Sequence, residues 1–371
     1  MWINWIASAS HLVLVCALAG LTPPVWGAQP PEGFVVIRGD QFVLDGEVFQ
    51  LKGTNYYPRD GMWAGLWDKW DPKAINGEIR MIRGLGMNAV RILVPYRNGG
   101  WGGSKGPPPD RLKMLEELVN SFGAEGIRSC VTLFDWETSY PEGGSKTEAE
   151  HLRYLQAIVP RLQHNPYVLF WDVKNEPDHP SALEGKDDWS CCPQQKAKIT
   201  SWLERMCNAV RKLDPNHPVS VGLRWWANFD EVVGFVDVAV FHSYWPNIGT
   251  EQIPFVRKTL GGKKMPIVVQ EFGWPSNPNP CERDGRTIRE YSEEKQLAFY
   301  QLHLKAFEEH KIAGYLQWMT FDAKAYRDNP KESFEQYFGL WRYDYTLKPA
   351  GEFFREHTKV KPFPPRRDSA P

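Results

Sequence analysis

The stretch YVLFWDVKNEP, residues 167–177, and the stretch PIVVQEFGW, residues 266–274, decide the fold of this chain. Each begins as a short apolar run of the kind that favours a β-strand. Each run then stops at a polar segment with one carboxylate, Glu176 in the first stretch and Glu271 in the second. Both stretches therefore predict a strand that ends at a carboxylic acid.

Outward from these two strands, short β-branched segments alternate with longer amphipathic, charged segments. Such alternation is typical of repeated βα units. The eight candidate strands are residues 50–55, 89–94, 129–134, 168–173, 219–223, 236–241, 267–270 and 314–318. The helical periodicity is found at residues 110–122, 148–162, 196–213 and 293–310. Eight units are the number that closes a parallel barrel, so we predict an α/β protein built as a single (β/α)8 TIM barrel with long βα loops.

The two ends of the chain differ from this central region. Residues 1–27 contain no Lys, Arg, Asp or Glu and include an apolar run, which predicts a signal peptide cleaved before Ala28 and a secreted or periplasmic protein. An uncleaved anchor is the alternative, although the run is short for a full membrane span. We assign residues 28–358 to the catalytic domain and residues 359–371, rich in Pro, Lys and Arg, to a flexible tail.

Composition narrows the class of partner. The 44 Lys and Arg residues nearly balance the 45 Asp and Glu residues, which gives no electrostatic reason to expect nucleic acid or an anionic membrane. The 17 Trp and 14 Tyr residues suit the faces of sugars, although many of them are expected in the core. Walker, dinucleotide and zinc motifs are absent from the sequence, so we expect no cofactor and no metal. We expect a monomer that acts on a neutral oligo- or polysaccharide.

The cysteines allow two interpretations. Cys130 lies in an apolar run and is expected to be a buried free thiol. One or two disulfides are plausible among the others in an oxidising compartment, with open connectivity among Cys191, Cys192, Cys207 and Cys281. The alternative is free thiols throughout.

Near the N-terminus, the Asp45-Gly46 turn signal within residues 34–49 predicts a hairpin that covers the bottom of the barrel.

The chemistry is expected where the strands end, because the strand C-termini and the loops after them build the active site of such a barrel. Glu176 and Glu271 end the fourth and seventh strands, which face each other across the mouth. Cleavage of a glycosidic bond needs this pair: one acid protonates the departing oxygen, and one carboxylate attacks the anomeric carbon. Retention of configuration requires the two groups to be about 5 Å apart.

Other strand-end residues are candidates for the same site. A guanidinium within the second strand, Arg91, needs a buried partner. His242, Tyr244 and Trp318 could instead be core residues, and Asp135 is undecided between a ligand contact and a loop cap. The residues Trp63, Trp67 and Trp70 follow the first strand and could extend the cleft, but their spacing also fits one inward-packed helix face, which we favour. The acids expected to be solvated loop charges are Asp178, Asp187 and Asp188.

The order of these motifs resembles glycoside hydrolase clan A, and family 5 (cellulases, mannanases and relatives) most of all. The resemblance spans roughly residues 34–356. It is carried by Asn175-Glu176-Pro177, Glu271-Phe272-Gly273, Val43-Leu44-Asp45-Gly46, Leu51-Lys52-Gly53, Asn88-Ala89-Val90-Arg91, the pair His242 and Tyr244, and Trp318.

The resemblance implies a role for each of these residues. Glu176 would be the acid/base, protonated at rest because burial and the charge of Glu271 raise its pKa, and Glu271 would be the nucleophile. Arg91 would orient Glu271, and Asn175 would bind the sugar 2-hydroxyl. The remaining residues implied to bind substrate or support the carboxylates are His242, Tyr244, Trp318 as the sugar platform, and Trp136 and Trp245 in flanking subsites.

The function implied is retaining hydrolysis of a β-linked glycan, with an endo-β-1,4-mannanase or endo-β-1,4-glucanase favoured. Asp135 stands where a cellulase often has a histidine, which counts against cellulose. The insert at residues 178–195 could close one end of the cleft and give an exo-acting β-glycosidase. A transglycosylase shares every catalytic residue, and a catalytically silent carbohydrate-binding barrel is the alternative from another class.

Overall fold

The computed structural model describes residues 32–97, 99–180, 189, 192–283, 286–289, 291–324 and 333–358, with residues 281–283 and 286–288 described by their backbone alone. The predicted signal peptide, the predicted tail, Asp187, Asp188 and Cys191 lie outside the described residues, as does the side chain of Cys281. The strands of the barrel are β4 (Leu51–Asn55), β5 (Ala89–Pro95), β6 (Arg128–Asp135), β7 (Val168–Asn175), β8 (Val219–Gly222), β9 (Ala239–Ser243), β10 (Ile267–Phe272) and β13 (Gly314–Gln317).

These eight strands form one parallel sheet in the order β8-β7-β6-β5-β4-β13-β10-β9. The sheet closes between its two edges, where Leu223 bridges Phe241 in parallel and the amide of His242 donates to the carbonyl of Leu223 at 2.8 Å. The barrel predicted from the sequence is therefore confirmed. The sixth strand was expected at residues 236–241 but begins at Ala239, because Asp237 instead accepts from the Val219 amide through its side chain.

The helices lie between these strands, and several begin at a side-chain cap. They are α1 (Gly65–Asp68), α2 (Pro72–Gly84), α3 (Pro109–Ala124), α4 (Lys146–Leu162), α5 (Pro193–Leu213), α6 (Ile253–Leu260), α7 (Glu293–Glu309) and α8 (Pro349–His357). Asp71, Ser145 and Ser292 each accept a hydrogen bond from a backbone amide of the first turn.

Two described cysteines settle part of the disulfide question. Cys130 is a buried free thiol in β6, as predicted. Cys207 is also a buried free thiol, since it lies on the inward face of α5 among core residues. The hypothesis of a disulfide that includes Cys207 is therefore wrong, because the helix packs that side chain into the core.

A three-stranded antiparallel sheet covers the bottom of the barrel, as predicted. It consists of β1 (Val35–Arg38), β2 (Gln41–Leu44) and β3 (Glu47–Val48), with a turn in which Asp45 and Gly46 both have positive φ. Its inward residues, including Phe42 and Leu44, pack against side chains from the barrel strands. The small strands β11 (Cys281–Arg283) and β12 (Arg286–Ile288) form a hairpin within the loop after β10. The loops after the barrel strands lie on the face opposite the three-stranded sheet, where the strands end.

Candidate active site

The two strand-end carboxylates, Glu176 and Glu271, lie together at the barrel mouth. Glu176 follows β7 and Glu271 lies near the end of β10. One carboxylate oxygen of each residue lies within 4.8 Å of the other and of a ring nitrogen of His242. Such a spacing suits direct attack on a sugar held between the two acids and leaves less room than inversion requires for an intervening water.

The position of Glu176 depends on an unusual backbone conformation. Its φ is 43°, in the left-handed region that a residue with a side chain seldom adopts. The backbone amide of Glu176 donates to the carbonyl of Gly222 on β8 at 2.8 Å, which holds this conformation. The turn directs the side chain towards His242, whose Nδ1 lies 2.9 Å from a carboxylate oxygen of Glu176.

Arg91 connects the strands beneath the two acids. It is fully buried and forms an ion pair with Glu271, and its Nη2 donates to Asp172 and to Asn175, each at 2.9 Å. Its Nε donates to Thr132 at 2.8 Å. A buried guanidinium is stable only when its donors are matched in this way. The arrangement fixes the orientation of the carboxylate of Glu271.

Asp172 belongs to this network and was missed by the sequence analysis. It is fully buried and also accepts from the hydroxyl of Thr132 at 2.7 Å and from the amide of Gly222 at 2.8 Å. A Cβ on Gly222 would lie 3.0 Å from an Asp172 oxygen, so glycine is needed at that position. The available signal was a carboxylate within an apolar strand, which requires a buried partner such as Arg91.

Tyr244 and His242 both contact the carboxylates, so neither is a core residue of the kind that was considered as an alternative. The hydroxyl of Tyr244 donates to Glu271 at 2.7 Å. Burial and the charge of Glu271 hold the pKa of Tyr244 well above its usual value, so the phenol stays a donor. Together with Arg91, it supplies a second donor to Glu271.

His242 shares one proton with Glu176. Its Nε2 lies 3.4 Å from Oε1 of Gln270, and the Gln270 amide nitrogen faces the thiol of Cys130 at 3.2 Å. Oε1 can only accept, so Nε2 carries a hydrogen. A single further proton then lies between Nδ1 of His242 and the carboxylate of Glu176.

The pKa of Glu176 differs from the expectation. Burial raises it, but the hydrogen bond and the charge of His242 outweigh burial and lower it to about 2. Burial lowers the pKa of His242, but the charges of Glu271 and Glu176 raise it above its usual value. The expectation of a raised pKa for Glu176 is therefore wrong for the unliganded protein, because the shared proton is held by the imidazole.

Four aromatic residues line one arc of the mouth and are called here the first aromatic group: Tyr57, Trp63, Trp136 and Trp318. Trp318 is nearly buried, and its ring centroid lies 5.7 Å from that of Trp63 and 6.0 Å from that of Tyr57. The exposed ring of Trp136 meets Trp63 edge-on at 5.5 Å.

The expectation that Trp63 packs inward on one helix face with Trp67 and Trp70 is wrong. Trp63 lies in a turn before α1, whereas Trp67 is buried beside Trp70.

A second aromatic group, Trp225, Trp226 and Trp245, follows β8 and β9 on another arc. Trp245 meets Trp225 edge-on at 5.2 Å and is 38% exposed.

Asp178 supports this second aromatic group. The expectation that Asp178 is a solvated loop charge is wrong. It is fully buried and accepts from the amides of two successive residues, Arg224 and Trp225, at 2.8 and 2.9 Å. The candidate cleft therefore has aromatic surfaces on both sides of the carboxylate pair.

Within the described part of the chain, one group of three residues has the donors and spacing of a metal site, namely Glu176, His242 and Glu271. These atoms are already hydrogen-bonded within the site: Glu176 to His242, and Glu271 to Arg91 and Tyr244. Their grouping follows from the pairing of the carboxylates and assigns no metal. Among the described helices, none is both long and apolar enough to cross a bilayer.

Comparison with curated proteins finds relatives named as mannan endo-1,4-beta-mannosidases and an endoglucanase. The chain is 25% identical over 335 residues to a "Probable mannan endo-1,4-beta-mannosidase C" of Aspergillus terreus, covering 70% of this chain and 78% of that protein. It is 29% identical over 258 residues to the "Major extracellular endoglucanase" of Xanthomonas campestris, covering 60% of this chain and 49% of that protein. The chain thus spans about half the length of the Xanthomonas relative.

Solved structures share the fold. A GH5_18 enzyme of Streptomyces cattleya in complex with Manb1-4GlcNAc has a TM-score of 0.69 at 18% identity, covering 87% of this chain and 82% of that chain. An exo-beta-1,4-mannosidase of an Opitutaceae bacterium has a TM-score of 0.67 at 20% identity, covering 88% and 62%. The family described as "Cellulase (glycosyl hydrolase family 5)" matches residues 44–306, more than half of the chain. The chain therefore belongs to glycosyl hydrolase family 5 and is a glycosyl hydrolase.

Proposed function

We propose that this enzyme hydrolyses a β-1,4-linked mannan or glucan internally, with retention of configuration at the anomeric carbon. The observation that carries the proposal is the spacing of Glu176 and Glu271, whose nearest oxygens lie within 4.8 Å. The difference in their surroundings supports different roles. Glu271 accepts from Arg91 and Tyr244, while Glu176 is hydrogen-bonded to His242.

The first step forms a glycosyl-enzyme ester. A carboxylate oxygen of Glu271 attacks the anomeric carbon, the bond from that carbon to the leaving oxygen breaks, and the leaving oxygen takes a proton from Glu176. Arg91 and Tyr244 hold the carboxylate of Glu271 so that it is aimed at the anomeric carbon. The amide of Asn175 donates to the 2-hydroxyl of the sugar, a contact that strengthens as positive charge develops on the ring.

The second step releases the sugar. The carboxylate of Glu176 takes a proton from water, the water oxygen attacks the anomeric carbon, and the ester bond to Glu271 breaks. Two inversions give net retention. The role of His242 is to hold the proton that it shares with Glu176. Nδ1 of His242 passes this proton to Glu176 as Glu176 protonates the leaving oxygen. The pair regains one proton from water in the second step.

The substrate follows from the shape and chemistry of the mouth. The first and second aromatic groups flank the carboxylates and offer flat surfaces for successive sugars on either side of the cleavage point, which suits an internal cut. Trp318 is proposed as the platform at that point, with Trp136 and Trp245 in flanking subsites. Mannan is preferred over glucan because the curated relatives include several mannan endo-1,4-beta-mannosidases, and Asp135 replaces the histidine common in cellulases. Sizing the products from mannan, glucan and xylan decides between sugars and between internal and terminal cleavage.

The roles of the two carboxylates are tested by azide rescue of matched variants. Glu271→Ala should lose at least 1,000-fold in activity, roughly the scale of removing a member of a catalytic unit. Azide should restore turnover of an activated aryl glycoside and give the inverted α-glycosyl azide. Glu176→Ala with azide should give the retained β-glycosyl azide, because azide then replaces water in the second step. The same stereochemistry from both variants would overturn the assignment.

Export as a monomer is part of the proposal. It is supported by the uncharged, apolar N-terminal 27 residues and by the relative named as an extracellular endoglucanase. N-terminal sequencing of the exported protein should give Ala28 as the first residue, and light scattering should give the mass of one chain. A retained N-terminus on a membrane-bound protein would favour the anchor instead.

A further inference from the structure

The side-chain amide of Asn175 is held from two directions. Its Oδ1 accepts from Nη2 of Arg91 at 2.9 Å. Asp135 ends β6, which pairs with the strand that carries Asn175, and a hydrogen bond from the Asn175 side chain lowers the pKa of Asp135. An amide that rotates by 180° would present its nitrogen to the guanidinium and its oxygen to the carboxylate, losing both contacts. The nitrogen carries a second hydrogen, and the orientation of that hydrogen is fixed as long as both partners are in place.

Asp135 is suited to this task by its position and its chemistry. It ends β6, beside β7, and only 3% of the residue is exposed. An ionised carboxylate can only accept hydrogen bonds, so it admits a single orientation of the neighbouring amide. A protonated acid or an asparagine at this position could also donate and would tolerate either orientation.

The charges that face Asp135 come from every neighbouring strand of the site. Burial raises the pKa of Asp135 to about 6, even though Lys174 on β7 and Arg91 on β5 favour the ionised form. Glu271 on β10 disfavours the ionised form. Tyr57, after β4, also lies within electrostatic range, since the Asp135 charge raises the pKa of its phenol. Asp135 is therefore ionised above about pH 6 and increasingly protonated below it.

We infer that Asp135 is a positioning residue that holds the amide of Asn175 in the one orientation able to donate to the 2-hydroxyl of the sugar at the cleavage point. The inference rests on the proposed function, which assigns that hydroxyl to Asn175. Asp135 acts through Asn175, so its effect on the rate passes through a single substrate group. A substrate without the 2-hydroxyl has nothing to gain from a correctly oriented amide.

The test compares an aryl β-mannobioside with its analogue that lacks the 2-hydroxyl of the sugar next to the aryl group, which is the sugar at the cleavage point. Asp135→Asn should lower kcat/KM for the intact glycoside roughly 10- to 100-fold, the scale of a misplaced catalytic contact. The 2-deoxy analogue should lose far less, so the ratio of the two kcat/KM values collapses. In an Asn175→Ala background, Asp135→Asn should leave the ratio unchanged. Equal losses on both substrates would show a general structural effect and overturn the inference.

A matched control and a measurement on the unmodified enzyme complete the design. Asp178→Asn also alters a fully buried carboxylate, but one that contacts the loop after β8, so any loss should be equal on both glycosides. In the unmodified enzyme, the same ratio should fall as the pH decreases through about 6, because Asp135 takes up its proton there. A ratio that is independent of pH would overturn the inference even if Asp135→Asn failed to fold. If the unmodified enzyme cleaves neither mannan nor glucan, the proposed function fails instead.

Discussion

At the scale of single residues, the site is organised around the sharing of protons and hydrogen bonds. Glu271 accepts hydrogen bonds from Arg91 and Tyr244, which orient its carboxylate. Glu176 has a histidine neighbour, so its proton is exchanged within a pair. Two identical side chains at the ends of two similar strands thus have different hydrogen-bond partners, which supports the different roles proposed for them.

The pair predicts a particular pH dependence. The pKa of His242 is raised above its usual value, so the shared proton is present at lower pH and is lost as the pH rises through that value. His242→Asn removes the storage site, and the basic limb of kcat/KM for a glycoside with a poor leaving group should move to lower pH. Full pH profiles of both enzymes provide the measurement.

The matched control for this prediction is His151→Asn. His151 is also fully buried but lies on α4, and its Nδ1 accepts from the indole nitrogen of Trp202. Its replacement should leave the basic limb where it is. A limb that stays in place in His242→Asn as well would contradict the sharing of the proton.

At the scale of elements, the loops after the strands are fixed by a buried ion pair. The ammonium of Lys348, just before α8, donates to Asp322 at 2.7 Å and to the hydroxyl of Ser276 at 2.8 Å. Asp322 follows β13 and also accepts from the amide of Gly339 at 2.9 Å. The contacts join the loop after β10 to the loop after β13, which also carries Trp318.

Breaking this ion pair from one side should destabilise the protein more than replacing both partners. Asp322→Ala leaves the buried charge of Lys348 unmatched and should cost about 3–5 kcal/mol of the free energy of unfolding. The double variant Asp322→Leu with Lys348→Met should recover most of that loss. Urea titrations of the unmodified protein and the two variants measure this, and a double variant no more stable than Asp322→Ala would show that the two groups are not coupled.

At the scale of the whole molecule, stability and chemistry occupy opposite ends of one barrel. The hairpin sheet packs against the strands at the bottom, where Phe42 stacks on Phe170 with centroids 6.1 Å apart. The carboxylates and the two aromatic groups lie where the strands end. The division is the general one for such barrels, in which loops at the mouth vary the chemistry on a constant core.

This separation predicts that damage to the hairpin spares catalysis. Phe42→Ala removes a buried ring and should lower the free energy of unfolding by about 3–5 kcal/mol, with kcat/KM unchanged below the melting temperature. Val48→Ala, at an exposed position of the same sheet, should change stability by less than about 0.5 kcal/mol. Calorimetry and initial rates measure both effects, and a loss of kcat/KM in Phe42→Ala would mean that the two ends are coupled.

The eight strands, the hairpin below them and the two carboxylates at strand ends could be predicted from the sequence alone. These features depend on local periodicity and on residues that are adjacent in the chain. The structure decided what depends on contacts between distant segments. Asp172 matters because Arg91, 81 residues earlier, needs a partner, and Trp63 joins the mouth because a turn directs it there. The lowered pKa of Glu176 follows from His242, 66 residues later, since electrostatic shifts depend on distance in space and not on separation along the chain.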